Sequence, residues 1–506
     1  MKGIIAAGDR LTAKAGAEIL REGGNAFDAV CAAMLAAPLA EPMLTSLGGG
    51  GFLLAHAPGE EATLYDFFVD VPPQRLERPD FFPIDVDFGT TVQEFHIGAG
   101  SIAVPGMVAG IDRIHRERGS LPMERIIAPA LRYAREGIRL TALQAGFAGL
   151  LEPILRSTSA ATKLYLPGGR LVTESDRLYN PGYADFLELF AREGADCFYR
   201  GEIADRIDRI SREHGGLVRR EDLENYRVTL RRPIAFDYRG YRVMTNPPPS
   251  AGGSLIAFTL EMLESLPAGR PDNWSYLIGL TEALALTSEF RREHADTLLH
   301  EEEALRELLN DGKRLAPWLQ QMQRRLNHWG NTTHISVIDA EENCAAVTST
   351  NGEGSGRVIP DTGIMLNNML GEEDLNPHGF FRWPAGVRLP SMMAPTIALK
   401  EGHPELILGS AGSNRIRSAI VEVLDRYLNY AIPIQEAVDA PRIHYEKGEL
   451  FAEPGYDPDL LKRLESHYKV TVFEKKSLFF GGVNAVTGSF DGGADARRGG
   501  AVIRIE

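Results

Sequence analysis

At position 332 a threonine follows Gly330-Asn331 and opens the run Thr332-Thr333-His334-Ile335-Ser336-Val337. A threonine hydroxyl is a weak nucleophile unless a base lies beside it. One economical base is the residue's own α-amino group, whose pKa of about 7.7–8.0 leaves a good fraction unprotonated near neutral pH. That amine exists only once the Asn331–Thr332 bond is broken. Gly330 suits the step, because glycine tolerates backbone angles that press the hydroxyl against the preceding carbonyl. Attack there moves the acyl group from nitrogen to oxygen, and water then frees the amine. Taken alone, the tripeptide reads more simply as two β-branched residues opening a strand.

The surrounding pattern supplies elements that could hold such a residue. From Thr333 the sequence alternates as a strand, turns over Asp339–Asn343, and returns through Ala345–Thr350. Upstream, Leu11–Gly23 has helical spacing, and Asp28–Leu39 is apolar on every side, which predicts a helix buried between layers. Gly48-Gly49-Gly50-Gly51 then leads into a strand, Phe52–His56. Helices are expected at Met107–Arg118, Met123–Gly137, Ala184–Glu193, Gly253–Ser265, Trp274–Arg292, Ile416–Leu428 and Pro458–Ser466, and a charged one at Arg306–Trp329. Strands are expected at Thr396–Lys400, Leu406–Gly409 and Ala501–Ile505. Such mixed order predicts α+β layers with helices outside paired sheets.

Bulk properties narrow the function classes. At 506 residues the chain needs two domains or one large layered fold. A net charge of −15 argues against a nucleic-acid surface, which clustered Lys and Arg would dominate. Cys31, Cys197 and Cys344 are far apart, suggest neither disulfides nor zinc, and are expected to be small buried residues. His294 and His300 lie in a charged stretch and read as solvated surface, so no metal or cofactor is expected. No run approaches the roughly 20 apolar residues of a membrane span, and the N-terminal Gly-Ile-Ile-Ala-Ala is too short for a signal peptide. The chain reads as cytoplasmic, or as periplasmic or secreted if a leader was trimmed.

Several ordered segments carry a resemblance. They are Gly23-Gly24-Asn25-Ala26-Phe27-Asp28, Gly48–Phe52, Val104-Pro105-Gly106-Met107-Val108-Ala109-Gly110, Gly215-Gly216-Leu217 with Glu221-Asp222-Leu223 and Tyr226, Pro248–Gly253, and Thr332–Asp339. Together they resemble the γ-glutamyltranspeptidase family over essentially the whole length. The resemblance implies a four-layer αββα sandwich of the N-terminal-nucleophile hydrolase type with a helical large-subunit extension. It implies a precursor cut into associated subunits, 1–331 and 332–506. It carries Thr332 over as nucleophile, Thr350 as the hydroxyl that orients it, and Gly412 and Ser413 as backbone donors of an oxyanion hole. The nearby Ser410 lacks the GxSxG context of a nucleophile elbow.

The substrate clamp departs from the family pattern. Where an Arg normally follows Asp-Phe, Phe68 stands, and it cannot neutralise a carboxylate. Met369 replaces a Gln or Glu, Glu372 takes the Asp position, and Ser391 follows a proline in place of a second serine. The loop after Thr350 is two residues short, leaving Asn351 as the replacement for a substrate-binding Asn. Arg388 or Arg415 is an alternative carboxylate contact. The resemblance thus implies an autoprocessed enzyme cleaving or transferring γ-glutamyl-type acyl groups from a small amide of the glutathione kind. A glutaryl- or cephalosporin-acylase-like specificity and an unprocessed binding or structural relative are the alternatives, and a homo-oligomer is left open.

Overall fold

The computed structural model describes residues 1–87, 92–265, 270–271, 273–291 and 332–506. Its organising element is a seven-stranded antiparallel sheet, ordered Ala501–Ile505, Gly3–Ala7, Thr333–Asp339, Cys344–Thr350, Gly50–His56, Thr63–Phe67 and Thr229–Arg231. The chain's first and last strands therefore flank the strand that follows Thr332. Gly3–Ala7 is fully buried and pairs residue by residue with both Ala501–Ile505 and Ile335–Asp339. Sequence reading took it only as a short apolar run; five alternating-insensitive small residues give no period to detect.

A second, six-stranded sheet runs Gly492–Ala494, Gly482–Thr487, His403–Ala411, Thr396–Lys400, Tyr241–Thr245 and Ile234–Tyr238. Thr333–Asp339 and Cys344–Thr350 pack face to face against its central strands. Helices Arg10–Arg21 and Ala26–Ala40 cover the outside of the first sheet, and Ala251–Glu264 and Arg415–Leu428 cover the second. The result is the expected αββα sandwich. Helices between Met107 and Asn225 pack beyond Ala26–Ala40, forming the helical extension.

Local chemistry explains these elements. Ala26–Ala40 is buried along nearly its whole circumference, and Asn25 caps it in a reciprocal box with Asp28. Asp28 also accepts from the Ser120 backbone N–H and hydroxyl, fixing the extension to this helix. The helix expected over Met123–Gly137 divides into Met123–Ile126 and Ala128–Glu136, because Pro129 opens a new helix in its first turn. The helix expected at Trp274–Arg292 covers Trp274–Phe290. Arg292, His294, His300, Asn331 and the helix expected at Arg306–Trp329 lie outside the described residues. The three cysteines are buried and unpaired, as expected.

Asp339 ties the far end of the hairpin to the helix layer. Its carboxylate accepts from the N–H of Ala26 at 2.8 Å, of Glu341 at 3.0 Å and of Asn343 at 2.9 Å. Asp339→Ala leaves the Ala26 donor buried and unmet, which should destabilise the fold by at least about 1–3 kcal/mol. Denaturant unfolding checks this; an unchanged midpoint would contradict the link between hairpin and helix.

Candidate active site

Thr332 immediately precedes the strand Thr333–Asp339, and pairing of Thr333 with Ser349 continues outward to set Thr332 opposite Thr350. Both threonines are largely enclosed, 5% and 8% exposed, so a reactant reaches them only through the cleft they line. The Thr350 hydroxyl accepts from the Gly352 N–H at 3.0 Å. Beside it, the glycine run is demanded by packing: a Cβ on Gly49 would collide with the Thr350 carbonyl oxygen, and one on Gly48 with that of Met365. The next strand residues point away from the cleft chemistry. Thr333 donates to Glu41 at 2.6 Å. His334 bonds Thr348 through Nδ1 at 2.7 Å and Ser336 through Nε2 at 2.9 Å. Burial pulls the His334 pKa down to about 3, so this imidazole is neutral and saturated, not a base for its neighbour.

The second component is the turn between His403–Ala411 and Arg415–Leu428. Gly412 has φ +117° and Ser413 φ +50°, the latter uncommon for a residue with a side chain. Among the described residues neither peptide N–H donates to a protein acceptor. Both sit at the positive end of a fourteen-residue helix, where an anion is favoured. Asp374 holds the turn by accepting from the Ser413 hydroxyl and, at 3.2 Å, from the Asn414 amide. Ser410 is fully buried, with its hydroxyl donating to the Ala411 carbonyl and accepting from the Gly482 N–H. It has no nucleophile geometry.

Thr332, Thr350, Phe68, Glu372, Ser391 and Ser413 come together on one cleft. Asp374, Leu375, Met392, Met393 and Ile416 complete its wall, and sequence reading proposed none of them as a site residue. Asp374 lies two residues beyond the acid the sequence pointed to, within Gly371-Glu372-Glu373-Asp374. Asn351 and Met369 are buried and are not among the residues that line this cleft. Burial, with Glu353 and Asp374 nearby, pushes the Glu372 carboxyl well above the usual carboxylate range. Gly412 is not among the lining residues, but its peptide adjoins Ser413, which is.

Neither Arg388 nor Arg415 is among the residues that line the cleft. Arg388 is committed to Asp66 at 2.9 Å and Asp70 at 2.7 Å, and to the carbonyls of Phe68 and Arg227. Arg415 is buried with its guanidinium 4.3 Å from the centre of the Phe479 ring. Phe68 is fully buried against Phe52, its carbonyl accepting from Tyr226 at 2.6 Å. Phe68 thus lines the cleft while Arg388 donates to its carbonyl and is neutralised by Asp66 and Asp70. Among the described residues, no cluster of His, Cys, Asp and Glu could hold a metal, and no helix is long and apolar enough to cross a membrane.

A threonine opening a central strand between two stacked sheets, flanked by helix layers, defines the architecture of an N-terminal-nucleophile hydrolase. The chain belongs to the γ-glutamyltranspeptidase family, whose sequence model matches residues 12–505. It is 30% identical to a glutathione hydrolase proenzyme of Escherichia coli over 92% of this chain and 85% of that one. It is 29% identical to the glutathione hydrolase proenzyme of Bacillus subtilis over 99% of this chain and 91% of the other. It is also 29% identical to the acylase ACY 1 proenzyme of Pseudomonas sp. strain SE83, over 97% and 90%. The fold matches a cephalosporin acylase structure from Bacillus halodurans with a TM-score of 0.87, at 24% identity and covering 100% and 96% of the two chains. The protein is accordingly an enzyme, a γ-glutamyltransferase-family hydrolase or acyltransferase.

Asp374 both restrains the turn and lines the cleft. Asp374→Ala should therefore lower kcat by about tenfold or more, an appreciable part of the 10²–10³ that one oxyanion donor supplies. Steady-state kinetics beside a melting curve checks this; a loss confined to stability would contradict it.

Proposed function

We propose that this enzyme is cut between Asn331 and Thr332 into segments 1–331 and 332–506, and that Thr332 then performs acyl transfer on a small amide. The observation that carries the reading is the convergence of Thr332, Thr350 and the Gly412–Ser413 turn on one cleft. In the mature chain the Thr332 amine takes the proton of its own hydroxyl as the oxygen attacks the amide carbonyl. The Gly412 and Ser413 N–H groups receive the oxyanion, and Thr350 orients the attacking hydroxyl. Collapse expels the amine, which leaves with the proton held by the Thr332 ammonium. Water or an acceptor amine then attacks the acyl-enzyme by the same route reversed.

The substrate reading starts from the relatives named glutathione hydrolases and weighs the wall of this cleft. Glu372 and Asp374 suit an ammonium group on the acyl chain, and Ser391 offers one hydroxyl. Phe68 withholds the usual carboxylate contact, worth roughly 1.5–3 kcal/mol when charge-assisted. The favoured substrate is a γ-glutamyl amide bound weakly. A second reading, an acylase, is favoured by the apolar share of the wall, Phe68, Leu375, Met392, Met393 and Ile416, and by the relative named as an acylase.

Thr332→Ala should leave a single 55.5 kDa chain and abolish turnover, read on a denaturing gel and with γ-glutamyl and glutaryl p-nitroanilides. Cleavage surviving that change would move the nucleophile elsewhere, and a glutaryl preference would move the enzyme to the acylase reading. Because the free amine is the base, kcat of the wild type should rise with pH through about 7.7–8.0. A pH-independent kcat across that interval would contradict the amine's role.

A further inference from the structure

Glu41 is fully buried at the C-terminal end of Ala26–Ala40, where the helix dipole disfavours a negative charge. Its two oxygens accept from Thr12 at 2.7 Å and from Thr333 at 2.6 Å. Thr333 is the residue next to Thr332, and its hydroxyl is seated on the helix side of the sheet while Thr332 lines the cleft. The fit is close. A Cβ on Gly8 would collide with Glu41 and with the Thr333 hydroxyl, so the first strand's exit leaves room for this contact alone. Below it, Thr45 and Ser349 share a hydrogen bond at 3.2 Å, and Ser349 is the ladder partner of Thr333. A carboxyl and four hydroxyls therefore underlie the start of the strand in an otherwise apolar layer.

We propose that Glu41 is a positioning residue for the Thr332 nucleophile, fixing the mature strand's first turn of backbone through the Thr333 hydroxyl, and that it does so as the anion. Once the Asn331–Thr332 bond is gone, covalent restraint upstream of Thr332 is gone too, and restraint passes to what residue 333 touches. The carboxylate can accept from both threonine hydroxyls at once, whereas the acid must donate one proton and so reverse one of those bonds. The charged groups that act on Glu41 are Asp9 and Arg498. Burial and Asp9 raise its pKa to about 7, against the lowering effects of Thr333, Thr12 and Arg498. With a raised pKa the carboxyl is neutral below that value and anionic above it, so the restraint is gained as pH rises through neutrality. Arg498 extends the arrangement toward the oxyanion turn, since a Cβ on Gly412 would lie 3.4 Å from its guanidinium.

This inference rests on Thr332 being the nucleophile, and the experiment separates the two. Full-length wild type, Glu41→Gln, Thr333→Val and Thr333→Ser are followed from about pH 5.5 to 9, spanning both titrations. Intact mass reports the rate of cleavage before Thr332, and γ-glutamyl-p-nitroanilide reports turnover of the mature enzyme. The ratio of wild-type to Glu41→Gln kcat should be near unity at the acid end and rise to about tenfold above pH 8, with KM little changed. Thr333→Val should show the same pH-dependent loss, and Thr333→Ser should restore the wild-type profile; this pair carries the test if Glu41→Gln does not fold. A ratio that is flat with pH, or wild-type rates in both Glu41→Gln and Thr333→Val, would overturn the assignment. Uncleaved wild-type protein would instead overturn the Thr332 reading, and the role of Glu41 with it.

Discussion

The proposed chemistry imposes one mechanical constraint: a residue that acts as nucleophile and as its own base must be a chain terminus, yet must not move like one. Termini normally fray, because little backbone pairing holds them. Here the strand Thr333–Asp339 is third in a seven-stranded sheet, with Gly3–Ala7 on one side and Cys344–Thr350 on the other. Ladder bonds from both neighbours begin at or near the reactive end. Side-chain bonds add to them: the Asn484 amide donates to the His334 carbonyl at 3.1 Å, so the second sheet also grips the strand.

The same constraint explains features that otherwise look costly. Gly48–Gly51 has little intrinsic strand preference, but the neighbouring carbonyls leave no room for a Cβ beside Thr350. Ser413 adopts a left-handed backbone next to Gly412, and Asp374 ties down the strained turn. His334, the residue that chemical intuition would choose as a base, is instead spent on fixing Thr348 and Ser336 between the sheets. Thr332 and the framework residues are thus drawn from the same short segment: alternation sends Thr333 to the helix side at Glu41, while His334, on the face of Thr332, is held between the sheets.

Much of this was legible in the sequence where periodicity or special backbone demands left a mark. The nucleophile hairpin, the apolar helix at Ala26–Ala40 and the strand at Thr396–Lys400 were found near their observed bounds, because alternation and all-round hydrophobicity are local signals. Gly3–Ala7 was not, since a strand buried on both faces has no period. The cleft wall was only half legible. Phe68, Glu372 and Ser391 could be placed by motif, whereas Asp374 and Met392-Met393 are defined by what folds against them. Glu41 could not have been found at all: it lies 292 positions from Thr333, and nothing local announces the contact. The fate of Arg388 was equally hidden, because a cation in sequence gives no hint that Asp66 and Asp70 neutralise it.

The central claim is that Thr332 becomes a chain terminus. Intact mass and N-terminal sequencing of the purified, freshly folded protein test it most directly. The account predicts two non-covalently associated chains, the smaller beginning at Thr332 and ending at Glu506. A single stable chain, or a smaller chain that begins at any other residue, would contradict it.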